Sequence, residues 1–253
     1  MSDQSQPLFN VAAVTALVAK IRPIGDTSSL IDELLLKSFC IVSFVNAHAV
    51  NLACRNEPFC DALRSADVLL RDGAGVKILI RAMRREPGRN MVGTDLIPQI
   101  VSAVGSKSVA LYGSSAQVAE LAAAALRRQG VAPVTHCDGF QTAQYYVERV
   151  KTDMPRVLVL GMGMPKQELI AEAIRKQYAG PLLILNGGAI LDYMAGRFRR
   201  APGYLRHLGL EWLFRLYLEP GRLWRRYLVG NVSFLARTCI AAFHSRFIER
   251  VPR

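Results

Sequence analysis

The sequence predicts an α/β fold: a largely parallel, Rossmann-like sheet with helices on both faces, followed by a helical, arginine-rich appendage. Three observations predict it. Short apolar runs alternate with segments of helical period from residue 39 to residue 194, as in consecutive β–α units. Several of those runs end in glycine or an acidic residue just before the next helix, as strands do at the ligand-binding edge of an open sheet. Beyond Pro202 the strand signal stops, and the change of character near residue 196 divides the chain into a core, 1–195, and an appendage, 196–253.

Residues 10–20 and 28–37 carry helical periodicity, and the apolar run 39–45 reads as a buried strand with a helix following from Ala47. A strand over 67–70 leads into a helix over 74–83, and Pro87-Gly88 breaks the chain before a helix capped by Thr94 that runs to Val104. Strands at 108–112, 131–136, 156–160 and 181–185 then alternate with helices at 116–129, 143–151, 165–177 and 189–194. Two further helices, 204–218 and 221–248, flank Glu219-Pro220-Gly221.

At 253 residues, 51% apolar and 21% charged, the chain can bury a core without metal or disulfide staples. Cys40, Cys54, Cys60, Cys137 and Cys239 form no C-x-x-C pair and have no histidine at ligand spacing, so they read as reduced, cytoplasmic thiols. Residues 1–8 lack the basic and apolar stretches of a secretion signal, and no apolar run approaches the roughly 18 residues of a transmembrane helix.

The net charge of +12 is unevenly placed. From Ala195 onward there are twelve arginines and no lysine against Glu211, Glu219 and Glu249, which is nine of the twelve net charges. Arginine's planar fork suits phosphate, so this segment reads as a phosphate or anionic-membrane surface rather than only a solvated face. The last helix mixes Trp224, Tyr227, Leu228, Phe234 and Phe243 with arginines; membrane docking and packing on the core both fit that composition.

Asp72 is the first candidate for chemistry. It ends the run 67–71 and precedes Gly73-Ala74-Gly75, which puts a carboxylate at a strand end beside residues that let a ligand approach. A plain turn with Asp capping the next helix fits the same spacing. Three further strand ends carry small residues: Gly113-Ser114, Gly161 through Gly163 with Lys166 and Gln167 beyond Pro165, and Gly187-Gly188. Each alone fits close helix-on-sheet packing; together on one edge they favour a ligand crevice, with helix amino termini available to phosphate.

Read in order, Val45-Asn46-Ala47, Ala66-Asp67, Asp72 through Gly75, Gly93-Thr94-Asp95-Leu96, Tyr112-Gly113, Asp138-Gly139-Phe140, Gly163 through Glu168, Gly187-Gly188, Arg200-Ala201-Pro202, Gly209 through Leu216 and Glu219 through Arg222 resemble the WecG/TagA/CpsF family of bacterial glycosyltransferases, glycosyltransferase family 26. The resemblance spans about residues 10–226. It implies an inverting enzyme that moves a sugar from a UDP-sugar onto a polyprenyl-diphosphate-linked sugar at the inner face of the cytoplasmic membrane. It also implies Asp72 as base, Asn46 and Gln167 in the pocket, Asp95 and Asp138 at the substrate, and Arg215, Arg222 and Arg225 from an appendage closing over them.

Phe44 stands where the family often has Thr, and Asn90, beside Arg89, stands where it often has Arg. Both departures lie near the expected sugar site. Transfer of N-acetylmannosamine and of glucose both have precedent in the family, and Asn90 is more similar to the exopolysaccharide glucosyltransferases. No Asp-x-Asp occurs, so no metal and no other cofactor is expected, and Asp72 with an ordinary pKa can accept a proton at neutral pH. Subunit number stays open, a homo-oligomer included. Two rivals remain. A nicotinamide-dependent oxidoreductase would share the sheet but lacks its third glycine here, and a nucleic-acid-binding protein would explain the arginines without requiring Asp72.

Overall fold

The computed structural model describes residues 10–207 and 209–247; the side chains of His207, Arg222 and Phe247 lie outside that description, as do the expectations for residues 1–8 and for the helix end at Ile248. Six strands form one sheet: β1 Phe39–Val45, β2 Val68–Arg71, β3 Val109–Gly113, β4 Val134–Cys137, β5 Val157–Gly161 and β6 Leu182–Asn186. They are all parallel, in the order β2-β1-β6-β5-β3-β4. A sheet without antiparallel strands must be covered on both faces, and β1 shows why its run is apolar throughout. Cys40, Val42 and Phe44 enter one buried cluster, while Ile41 and Val45 enter clusters on the opposite side.

One face is covered by α2 (Thr27–Leu36), α6 (Gly93–Ala103), α7 (Ala116–Arg128) and α10 (Ile190–Met194). The other carries α1 (Val11–Lys20), α3 (Ala47–Ala53), α4 (Glu57–Ser65), α5 (Ala74–Ala82), α8 (Ala143–Asp153) and α9 (Lys166–Gln177). The helix expected from Ala47 is α3. It ends at Ala53, and α4 starts afresh because Asn56 accepts from the Phe59 N–H at 2.9 Å and Pro58 sits in the first turn of α4. Thr94 does not cap α6: the helix begins at Gly93, and the Thr94 hydroxyl takes a hydrogen bond from the Arg200 guanidinium at 3.0 Å.

Beyond the sheet come α11 (Gly203–His207), α12 (Glu211–Leu218), α13 (Pro220–Trp224), a π-helical turn at Arg225–Val229 and α14 (Gly230–Phe247). Where two helices were expected, Gly209 at φ +72° separates α11 from α12, and the π turn joins α13 to α14. The packed alternative holds for α14. It lies on α1, α3 and α5, with Phe234 and Ala241 inside their apolar cluster. Arg237 is buried in the same contact and donates to Asn51 Oδ1 at 2.8 Å, while Asn51 Nδ2 donates to the Gly230 carbonyl at 2.7 Å. Among the described residues no helix is long and apolar enough to cross a membrane.

Candidate active site

The pairing of β1 with β2 sets the centre of the site. Val45 stands opposite Arg71, so Asn46 and Asp72 leave adjacent strand ends together, and the Asp72 N–H donates to the Val45 carbonyl at 2.8 Å. Asn46 Oδ1 accepts from the Ala49 N–H at 3.1 Å and caps α3, and the same side chain hydrogen-bonds the Asp72 carboxylate. Gly73 turns the chain at φ +94°, a conformation that disfavours a side chain. That turn is pinned by Asn90, whose Oδ1 accepts from the Gly73 N–H at 2.7 Å and from Arg71 Nη1 at 3.2 Å. Arg71, nearly fully buried, also donates to the carbonyls of Pro87, Gly88 and Gly73.

The glycine ends of β3, β5 and β6 lie along the same edge. Gly113 faces Gly161 so closely that a Cβ on it would meet the Gly161 backbone at 2.4 Å. Gln167, completely buried, stitches two of the loops: its Oε1 accepts from the N–H groups of Gly163 at 3.1 Å and Gly188 at 2.9 Å. Its Nε2 donates to Glu168 Oε1 at 2.8 Å, and burial pushes the Glu168 carboxyl up to about 7.

Two adjoining cavities open on this edge. The first, about 420 Å³, is lined by Ser114, Gly139, Phe140, Gly161, Gly163, Gln167, Gly187, Gly188 and Asp192. The second, about 330 Å³, is lined by Ala47, Ala74, Ile78, Asn90, Trp212, Phe234 and Leu235, with Arg206, Glu211 and Asn231. Asn46, His48, Asp72, Val92, Arg215, Arg226 and Tyr227 border both. Asp72 therefore stands where the two spaces meet.

Burial raises the Asp72 carboxyl to about 6; the Arg215 and Arg226 guanidiniums and the Asn46 hydrogen bond hold it down, and the Glu211 charge pushes it further up. The ordinary pKa expected from the sequence is corrected accordingly. At neutral pH the group is still mostly ionised and is a better proton acceptor than a free aspartate. His48 moves the other way, down to about 4, through burial and the nearby positive charge of Arg226, so its imidazole is neutral. Arg215 lies over the Tyr193 ring at 5.1 Å.

Of the other sequence candidates, Lys166, Asp138, Gly113, Asp95, Arg89 and Arg225 border neither of these cavities. Lys166 donates to the carbonyls of Gly139 and Gln141 at 2.8 and 3.0 Å, and Asp138 accepts from the Phe140 N–H at 2.8 Å, so the two hold the loop that presents Gly139 and Phe140. Gly113 supports that loop from beneath, through Ser114, whose carbonyl accepts from the Gly139 N–H at 2.8 Å. Asp95 is ion-paired with Arg200 and ties α6 to the segment after the sheet. Arg89 turns to the Gly25 carbonyl at 3.4 Å, and Arg225 lies over the Trp224 ring at 5.2 Å. The Arg222 side chain lies outside the described residues. Among the residues that border the cavities but were absent from the sequence-based set are Arg226, His48 and Glu211. Among the described residues no three His, Cys, Asp or Glu side chains group as a metal site would require.

A parallel sheet with a paired cavity at its strand ends, an ionised carboxylate between the halves and arginines above it is the architecture of an α/β enzyme that handles an anionic ligand. Residues 18–247 match the profile described as the glycosyl transferase WecG/TagA/CpsF family, and the chain belongs to that family of glycosyltransferases. Among its relatives is a Bacillus subtilis protein named N-acetylglucosaminyldiphosphoundecaprenol N-acetyl-beta-D-mannosaminyltransferase, 25% identical over 193 residues, covering 74% of this chain and 75% of the relative. A Bacillus spizizenii protein of the same name is 27% identical over 181 residues, or 70% of each chain. This membership favours the transferase over the oxidoreductase and nucleic-acid readings.

Proposed function

We propose that the chain is an inverting, metal-independent glycosyltransferase that moves a hexose or N-acetylhexosamine from a UDP-sugar to a sugar carried on polyprenyl diphosphate, in the assembly of a bacterial surface polysaccharide. The observation that carries the reading is the position of Asp72 on the boundary of the two cavities. The first, rimmed by glycines and helix amino termini, suits a nucleoside diphosphate sugar. The second, part apolar and part charged, suits the head of a lipid-linked sugar. At their junction the acceptor hydroxyl oxygen attacks the anomeric carbon, its proton passes to Asp72, and UDP leaves with the bonding electrons, its growing charge met by Arg215 and Arg226. The relatives' names support an undecaprenyl-diphosphate acceptor. Donor choice lies between UDP-glucose and UDP-N-acetylmannosamine types.

In this reading residues 196–253 complete the site and dock on the inner face of the cytoplasmic membrane. Tyr217 and Val232, 81% and 70% exposed, together with Trp224, Leu228 and the arginines, support a peripheral membrane surface. The test is UDP release and product analysis with a panel of UDP-sugars and a short-chain prenyl-diphosphate-linked N-acetylglucosamine, with and without EDTA. Turnover of one UDP-sugar to the β-linked product, unaffected by chelator, is expected from an α-linked donor. Absence of turnover with every UDP-sugar, or retention of the donor's anomeric configuration, contradicts the proposal.

A further inference from the structure

The second cavity has a carboxylate of its own. Glu211 opens α12 and borders that cavity but not the first. Its side chain is 19% exposed, and its Oε1 is buried without a hydrogen-bond partner among the described residues; the guanidinium of Arg215 comes no nearer than 3.8 Å. A buried carboxylate oxygen left without a donor is costly, so whatever fills the cavity gains by supplying one. A diphosphate cannot: it is anionic and has no donors at neutral pH. A sugar can, because every free hydroxyl is a donor.

The rest of the cavity orients such a ligand. Arg206, which borders this cavity and not the first, offers positive charge for a diphosphate, and Ile78, Trp212 and Leu235 offer an apolar wall for the start of a prenyl chain. Asp72 and Glu211 border the same space, and the Glu211 charge is among the causes that raise the Asp72 carboxyl. A sugar ring entering with its diphosphate on Arg206 then has hydroxyls left for the two acids.

We propose that Glu211 accepts a hydrogen bond from a hydroxyl of the acceptor sugar, beside the hydroxyl whose proton passes to Asp72, and thereby holds the attacking oxygen in register. This rests on the transferase reading above. It makes Glu211 a residue of the acceptor alone, a role separable from holding Arg215, which borders both cavities.

The experiment uses the full chain, the UDP-sugar that the wild type turns over and the prenyl-diphosphate-linked N-acetylglucosamine. Glu211→Gln and Glu211→Ala are expected to raise KM for the acceptor by about tenfold or more, the scale of a lost hydrogen bond to a charged group, with KM for the UDP-sugar and calorimetric affinity for UDP within about twofold of wild type. Equal loss toward donor and acceptor, the result if Glu211 only steadies Arg215, overturns the proposal, and so does an unchanged acceptor KM. Monodeoxy acceptors provide a second arm that does not depend on how well the alanine variant folds. One analogue is expected to penalise the wild type about as much as Glu211→Gln does, without further penalty in that variant; additive penalties for every analogue overturn the proposal. A wild type inactive with all UDP-sugars would instead remove the transferase reading itself.

Discussion

The Asn46 side chain joins a helix terminus to the candidate base: its Oδ1 accepts the Ala49 N–H at 3.1 Å, and the same amide hydrogen-bonds the Asp72 carboxylate. Adjacent parallel strands deliver the two residues side by side, so the cap that starts α3 also holds the carboxylate at the cavity junction.

That link has a consequence for pH. Asp72 lies at about 6, so kcat/KM is expected to fall about tenfold per unit as pH drops below that value. The Asn46 hydrogen bond favours the ionised form, so Asn46→Ala raises the Asp72 pKa and moves the acid limb to higher pH. A pH–rate profile on each protein reads the shift; an acid limb that stays in place disconnects Asn46 from the base.

Stability should move oppositely to activity at Asp72. The folded protein holds this proton more tightly than the unfolded chain, with the pKa raised from 3.8 to about 6. Ionisation therefore costs stability as pH rises through that window, and the whole cost, on the order of 1 to 3 kcal/mol, is present above it. Asp72→Asn is expected to be more stable than wild type in urea at pH 8, with the difference vanishing near pH 4. Glu168, raised from 4.5 to about 7, adds a similar dependence to both proteins and cancels in the comparison.

Neighbouring arginines should separate cleanly. Arg226 borders both cavities, whereas Arg225 borders neither and lies over Trp224. Arg226→Ala is expected to lower turnover by roughly 10-fold to 100-fold, the scale of one lost charge-assisted contact to phosphate. Arg225→Ala should stay within about threefold of wild type in solution with a short-chain acceptor. Steady-state kinetics on the pair decides it, and equal losses would argue against this geometry.

The attachment of α14 to the core can be measured by stability alone. Asn51→Leu removes the Oδ1 that receives the buried Arg237 guanidinium and the Nδ2 that reaches Gly230. A loss of about 2 to 4 kcal/mol in denaturant unfolding is expected, because a buried charge loses a partner. A loss below about 0.5 kcal/mol would mean that this contact contributes little to holding α14 down.

The alternation of apolar runs and helical segments made the sheet legible, since a parallel strand needs burial on both faces and each run ends at the same edge. It could not place β6 between β1 and β5, a contact between distant segments with no local signal. Asp72, Asn46 and Gln167 were legible as candidates, from a strand end or from family motifs, and all three border the first cavity. Which way a side chain turns at that edge was not: Lys166, Asp138 and Asn90 all bond to loop backbone, and of them only Asn90 borders a cavity. The restart at Asn56 carried a legible cap and proline that the reading from Ala47 passed over. Glu211 and His48 come to the cavities through how α12 and α3 are placed in the fold, which composition does not reveal.

The most direct test of the central claim is single-turnover sugar transfer by Asp72→Asn, with UDP affinity measured on the same protein by calorimetry. The account predicts transfer slowed by roughly 10²-fold or more, the scale of a lost general base, with UDP binding nearly unchanged. Transfer at the wild-type rate would contradict it and remove Asp72 from the chemistry.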